Sequence, residues 1–166
     1  PQFMLGGGNI DPWSSEQSTD YDRMIEQFGL TPMDLGSLPN PGMLHRRGIV
    51  FAHRDMDVIT DSITKGDPFG VLTGLMPSGR MHLGHSMVIE QVRWFQEHGA
   101  DVTVAVADLE ALATRGTSLS DGRETALREY VLNYAALGLE SDKTNVYFQS
   151  SRPEVQRLAF TLGKRT

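Results

Sequence analysis

The chain has no cysteine among its 166 residues, which excludes disulfide staples and thiolate metal ligands and fits a reducing cytoplasm. It has no apolar run long enough to cross a bilayer, since 49–52 and 102–106 are strand-sized, so no membrane association is expected. Its first residues lack the basic segment and apolar core of a secretory signal. Positive charge is scarce: 15 lysines and arginines face 21 aspartates and glutamates, for a net charge of −6. A protein that grips nucleic acid without sequence preference needs the opposite balance. Any RNA contact therefore requires a local basic patch or a surface elsewhere in the complete protein. Two nucleotide motifs are also missing. No glycine-rich loop ends in Gly-Lys-Ser/Thr, and there is no G-x-G-x-x-G fingerprint, which argues against a P-loop NTPase and a dinucleotide enzyme.

What is present suits an α/β protein with a real core, at 39% hydrophobic residues. Residues 1–66 read as a lead-in and helical extension, and 67–166 as a more regular domain. The lead-in holds Gly6-Gly7-Gly8 and a polar tract through Ser18. Tyr21, Met24, Ile25 and Phe28 share one face of a helix expected over 20–28, closed by Gly29. The Pro/Gly-rich stretch 30–41 reads as loop, and Met43 to Gly48 is locally basic. Met56, Ile59 and Ile63 predict a helix over 53–65.

The pattern then alternates. A strand is expected over 69–75, then a helix over 85–98 with Val88, Ile89, Val92 and Phe95 inward and Gly99 as a left-handed cap. Trp94 lies off that stripe, suited either to an interface or to the core edge. The segment 101–107 is apolar nearly throughout, as in a parallel strand buried on both faces. A loop over 114–120 leads to a helix over 121–137, with Asp121 and Glu124 as a reciprocal cap. Leu127, Tyr130, Val131, Tyr134 and Leu137 form its apolar stripe, and Gly138 stops it. A third strand is expected over 145–149, and Ser151 and Pro153 open a last helix. The order βαβαβα implies right-handed crossovers and a parallel sheet covered by helices. Three strands make a small sheet, so a piece of a larger protein is expected.

The stretch Thr73 to His85 carries the most chemistry. It runs from an apolar strand through Pro77-Ser78-Gly79 into an amphipathic helix, the setting in which backbone N–H groups meet phosphate at the open end of a parallel sheet. Gly79 permits a positive φ in the turn. His82 and His85, three residues apart, are placed to donate ring N–H groups to phosphate oxygens of ATP as charge moves onto the departing pyrophosphate. Capping or core histidines, and a zinc site lacking an evident third ligand, are the competing readings. Gly84 has no Cβ, which suits either close approach of a purine or ribose or close packing at a helix start.

Pro77-Ser78-Gly79 followed by His82-Leu83-Gly84-His85 resembles the signature of class I aminoacyl-tRNA synthetases of the tryptophanyl and tyrosyl subgroup. Ala107-Asp108-Leu109-Glu110-Ala111 is similar to that subgroup as well. The segment His45 to Asp55, and Asp11-Pro12-Trp13 with Asp20-Tyr21-Asp22, resemble the archaeal and eukaryotic tryptophanyl branch. The resemblance runs from about residue 11 to the end. It implies a Rossmann-like parallel sheet with flanking helices, here an incomplete nucleotide-binding domain. It also implies activation of tryptophan by ATP with Mg²⁺, no tightly bound cofactor, transfer to tRNA(Trp), and a cytoplasmic homodimer.

Carried over by position, His82 and His85 are the catalytic candidates, and they bind ATP together with Gly74, Pro77, Ser78, Gly79 and Gly84. Leu72, Thr73, Glu110 and Gln149 fall to the amino acid. Glu110 would accept an indole N–H, unless it merely caps a helix or faces solvent. Gln149 either lines that pocket or only ends its strand. Leu72 stands where the eukaryotic branch leads us to expect an aromatic residue, and Ala105 and Ala107 where polar ones are expected. Arg46, Arg47, Arg54 and Arg80 are candidate phosphate or tRNA contacts, or solvated surface. The family's second signature, a loop resembling Lys-Met-Ser-Lys-Ser, does not occur, so the isolated chain is expected to aminoacylate poorly or not at all. A tyrosyl enzyme, an inactive synthetase-like binding module and another nucleotidyl transferase are the alternatives.

Overall fold

The computed structural model describes residues 21–163. The expected lead-in and the Asp11-Pro12-Trp13 segment lie outside them. The chain divides into two compact units, residues 1–58 and 59–166.

In the first unit α1 (Tyr21–Phe28) ends at Gly29, whose φ of +58° is the left-handed stop that glycine supplies. Tyr21 packs on Phe51 with ring centroids 4.5 Å apart. The stretch expected to be plain loop is more structured. Thr31–Pro32 (β1) pairs antiparallel with Ala52–His53 (β2), and Asp34 caps a single 3₁₀ turn at Leu35–Ser37. Proline is tolerated because the pairing is a two-residue edge bridge. A short helix, α2 (Met43–Arg46), lies between them. The next helix, α3 (Met56–Lys65), starts three residues later than expected. His53 is still in β2, Asp55 takes a φ of +57°, and the Met56 amide donates to His53 Nδ1 at 3.1 Å.

The second unit holds a three-stranded parallel sheet in the order β3 (Gly70–Leu75), β4 (Asp101–Val106), β5 (Thr144–Phe148). Registry aligns Thr73, Val104 and Val146 on one face, and Gly74, Ala105 and Tyr147 on the other. The first face is packed. Leu75, Val102, Val104, Val106 and Phe148 meet Ile89 and Val92 of α4 (Leu83–Glu97), together with Ala126, Tyr130 and Tyr134. Each large apolar side chain buried there contributes about 1.5–3 kcal/mol. The other face is open: Leu72 is 71% exposed and Thr103 and Ala105 are half-buried. This corrects the expectation of a central strand buried on both sides; β4 is apolar on both faces, but only one is covered among the described residues.

Other boundaries shift for local reasons. The helix α4 begins at Leu83 rather than 85, and its Val88 is exposed while Trp94 is buried against Phe95 and His98. Residues 108–115 form a helix, α5 (Asp108–Arg115), so Thr114 and Arg115 are not loop. Gly116, at φ +66°, ends it. The helix that follows starts at Leu119 with Ser118 as its cap; the Asp121 amide donates to Ser118 Oγ at 3.1 Å, so Asp121 is not the cap. It runs as α6 (Leu119–Thr125), a π turn over Ala126–Val131, and α7 (Leu132–Ala136). Its inward stripe is Gly122, Ala126, Tyr130 and Tyr134, which leaves Leu127 exposed. Gln149 has left the strand for a 3₁₀ turn, Gln149–Ser151, and Arg152 rather than Ser151 caps α8 (Pro153–Leu162).

Candidate active site

Strand β3 delivers its C-terminal end into an exposed turn, residues 76–82, that feeds α4. Pro77 anchors it. The proline is fully buried, and a Cβ built on Gly122 of α6 would meet its Cγ at 3.7 Å. The Ser78 amide donates to the Met76 carbonyl at 2.8 Å. Gly79 has a φ of +153° and no atom near a would-be Cβ, so backbone conformation, not crowding, calls for glycine. Ser78, Gly79 and Arg80 are exposed.

His82 is the N-cap of α4, and His85 reaches back so that the His82 amide donates to His85 Nδ1 at 3.3 Å. The two rings lie 4.0 Å apart between centroids, tilted by 44°. Because Nδ1 accepts, the neutral His85 ring carries its proton on Nε2. Burial lowers the His85 pKa from its usual 6.5, and the neighbouring His82 lowers it further. The neutral, N–H-donating form is thereby favoured. The room left by the missing side chain of Gly84 is already used inside the chain: a Cβ there would stand 3.1 Å from His82 Cε1 and 3.2 Å from Nδ1. Glycine at 84 lets the His82 ring fold over the first turn of its own helix.

Tyr130 stands behind this pair. Its ring meets His85 edge-on, at 5.4 Å and 88°, and burial raises its pKa above the usual value. The sequence offered it only as one apolar residue of a stripe.

The residues expected at the amino acid separate. Leu72 and Gly74 face the open side of the sheet with Ala105 and Tyr147, whereas Thr73 points with Val104 to the packed side. A Cβ on Gly74 would meet nothing closer than the Ala105 carbonyl at 3.7 Å, so the chain itself leaves that position free. Glu110 lies exposed in the first turn of α5. The carboxylate at the end of β4 is Asp108, only 2% exposed. Asp108 Oδ1 accepts from the Leu109 and Ser150 amides at 3.1 and 3.0 Å, and Oδ2 accepts from the Ser150 hydroxyl. That bond set ties the ends of β4 and β5 together. The available signal was an apolar strand ending in Ala-Asp directly before helical residues. Gln149 is half-buried, and its carbonyl accepts from Gln156 Nε2 at 3.1 Å.

The arginines divide too. Arg46 donates to the Pro41 carbonyl and Arg54 to the Phe28 carbonyl at the end of α1, whereas Arg47 and Arg80 are exposed. Among the described residues no group of three His, Asp or Glu side chains could hold a metal ion, and no helix is long and apolar enough to cross a membrane.

The arrangement therefore offers ring and backbone donors at an exposed turn on the C-terminal edge of a parallel sheet, the place where such sheets bind nucleotides. A family model described as class I tRNA synthetases for tryptophan and tyrosine matches residues 64–166. The tryptophan–tRNA ligase of Methanosarcina acetivorans is 45% identical over 158 residues, 94% of this chain and 36% of that protein. The crystal structure of the tryptophanyl-tRNA synthetase of Aeropyrum pernix superposes with a TM-score of 0.81 at 39% identity, over 95% of this chain and 45% of that one. The tryptophan-bound enzyme of Encephalitozoon cuniculi gives 0.70 at 28%, over 80% and 42%. The chain spans less than half the length of the curated relatives it matches.

Proposed function

Because the chain belongs to the class I tRNA synthetases for tryptophan and tyrosine, we propose that the complete protein is a tryptophan–tRNA ligase. The observation that carries this reading is the close His82–His85 pair at the start of α4, beside an exposed turn at the edge of the parallel sheet. The tryptophan enzymes among the relatives favour tryptophan over tyrosine.

In the first step a tryptophan carboxylate oxygen attacks the α-phosphorus of ATP, which enters as its magnesium complex. The bond to the bridging oxygen breaks and pyrophosphate leaves. Negative charge grows on the departing group, where donors aimed in advance lower the barrier most. His82 and His85 supply ring N–H groups there, and neither needs to transfer a proton. Ser78, Gly79 and Gly84 offer the turn and first-helix backbone to the nucleotide, with Pro77 as the buried anchor. Gly74, bare on the open face, leaves room for the adenylate. Leu72 lines the amino-acid side on that face, and Glu110 in the first turn of α5 and Gln149 in the 3₁₀ turn after β5 complete it. Thr73 contributes through its backbone, since its side chain faces the core. In the second step the 3′-terminal hydroxyl of tRNA(Trp) attacks the activated carbonyl and AMP leaves. The complete protein acts in the cytoplasm as a homodimer, with no resident cofactor.

The test is ATP–pyrophosphate exchange by the full-length protein with each amino acid. Tryptophan-dependent exchange with tyrosine at background is expected. Exchange driven by tyrosine would reassign the substrate, and none with either would leave a synthetase-like binding module.

A further inference from the structure

Glu110 and Gln149 belong to different elements, the first turn of α5 and the 3₁₀ turn after β5. The sheet cannot set their spacing, because the β4–β5 ladder ends at Val106 and Phe148. Beyond it one residue grips another. Asp108, two positions before Glu110, has a carboxylate only 2% exposed, and both its oxygens turn to Ser150, the residue after Gln149. Oδ1 accepts from the Ser150 amide at 3.0 Å, and Oδ2 accepts from the Ser150 hydroxyl. Two bonds to a single residue fix its orientation as well as its distance. Joining two strand ends does not call for a buried carboxylate, since an apolar pair does so without the cost of removing a charge from water. A directional grip at this place is what packing alone does not require.

We propose that Asp108 and Ser150 are positioning residues that hold Glu110 and Gln149 at one separation and orientation for tryptophan, a role that rests on the reading that the amino acid binds there. The grip joins the start of α5 to the 3₁₀ turn, so the two elements move as one piece. Neither Asp108 nor Ser150 touches the amino acid. The nucleotide turn at Pro77–Gly79 and the two histidines belong to another junction and do not depend on the grip.

The experiment compares full-length Ser150→Ala, Ser150→Thr and Thr144→Val in pyrophosphate exchange, with KM measured separately for tryptophan and ATP. Ser150→Ala removes the hydroxyl and keeps the amide bond, so the strand ends stay joined while the orientation is released. It should raise the KM for tryptophan about tenfold, the low end of what a bond to a charged group is worth, and leave that for ATP unchanged. Ser150→Thr keeps a hydroxyl and should recover most of the loss. Thr144→Val is the control at the opposite end of β5, where the Thr144 hydroxyl accepts from Gln96 Nε2 at 2.9 Å and donates to the Glu140 carbonyl at 2.7 Å. It should lower stability and leave both KM values alone. Added to a Glu110→Ala, Gln149→Ala double variant, Ser150→Ala should change nothing further, because nothing is left to position. A wild-type tryptophan KM in Ser150→Ala overturns the proposal, as does an equal rise for ATP or an undiminished loss in that double variant. A wild-type tryptophan KM in the double variant itself would instead overturn the placing of the amino acid, and the proposal with it.

Discussion

Two neighbouring parallel strands hand over to helices in opposite ways. Between β3 and α4 the chain takes a turn of seven residues, 76–82, mostly exposed and anchored by the buried Pro77. Between β4 and α5 it takes a single residue, Ala107, and the carboxylate that follows is buried and accepts from three donors of its own chain. The first junction keeps donors for a ligand; the second spends its acceptors on holding the sheet edge together. Position at the C-terminal edge of a sheet therefore does not by itself make a polar group a ligand contact. What decides is whether the chain itself already buries the group and engages both its oxygens.

The sharpest way to break this contrast is Asp108→Ala. Three donors would lose a buried carboxylate acceptor, and the edge should weaken by about 3 kcal/mol, since bonds to charged groups and stranded buried donors carry the larger penalties. Loss of hydrogen-exchange protection at Ser150 and Leu109 would read it. Unchanged protection with abolished tryptophan activation would make Asp108 a ligand contact and erase the difference between the two junctions.

The smaller effect concerns pH. His85 in the folded chain has a pKa below the 6.5 of the unfolded chain, from burial first and His82 second. The unfolded state takes up the proton first, so the contribution of His85 to stability is constant above that value and declines as pH falls through the folded pKa. A histidine NMR titration should place the His85 midpoint below 6.5 and move it upward, without full recovery, in His82→Ala. A midpoint at or above 6.5 would mean that the ring is as free as any surface histidine.

The sequence made the alternating part of the fold legible because periodicity and glycine stops agree there. Gly99 and Gly138, with φ of +99° and +98°, end helices where their positions promised. The turn and the two histidines were legible for the same reason: proline, serine and glycine between a strand and an amphipathic run have few other uses. What the sequence leaves open shares a cause as well. Whether Thr73 or Leu72 faces a pocket depends on which side of the sheet the helices cover, and both are compatible with the strand pattern. Asp108 and Glu110 are two residues apart and chemically alike, yet one is closed by Ser150 in a strand 42 positions away. No local rule carries that pairing. Gly84 suits either a ligand's approach or packing at a helix start, and no local rule shows that the His82 ring stands 3.1 Å from where its Cβ would be.

The central claim is that the β3–α4 junction keeps its ring donors for the phosphates of ATP. The most direct measurement is a crystal structure of the full-length protein with an ATP analogue that cannot be split between the α- and β-phosphates. The account predicts phosphate oxygens within hydrogen-bond distance of ring nitrogens of both His82 and His85, with the Tyr130 ring still edge-on to His85. A triphosphate bound away from the Pro77–Gly79 turn, with both rings facing solvent, would contradict it.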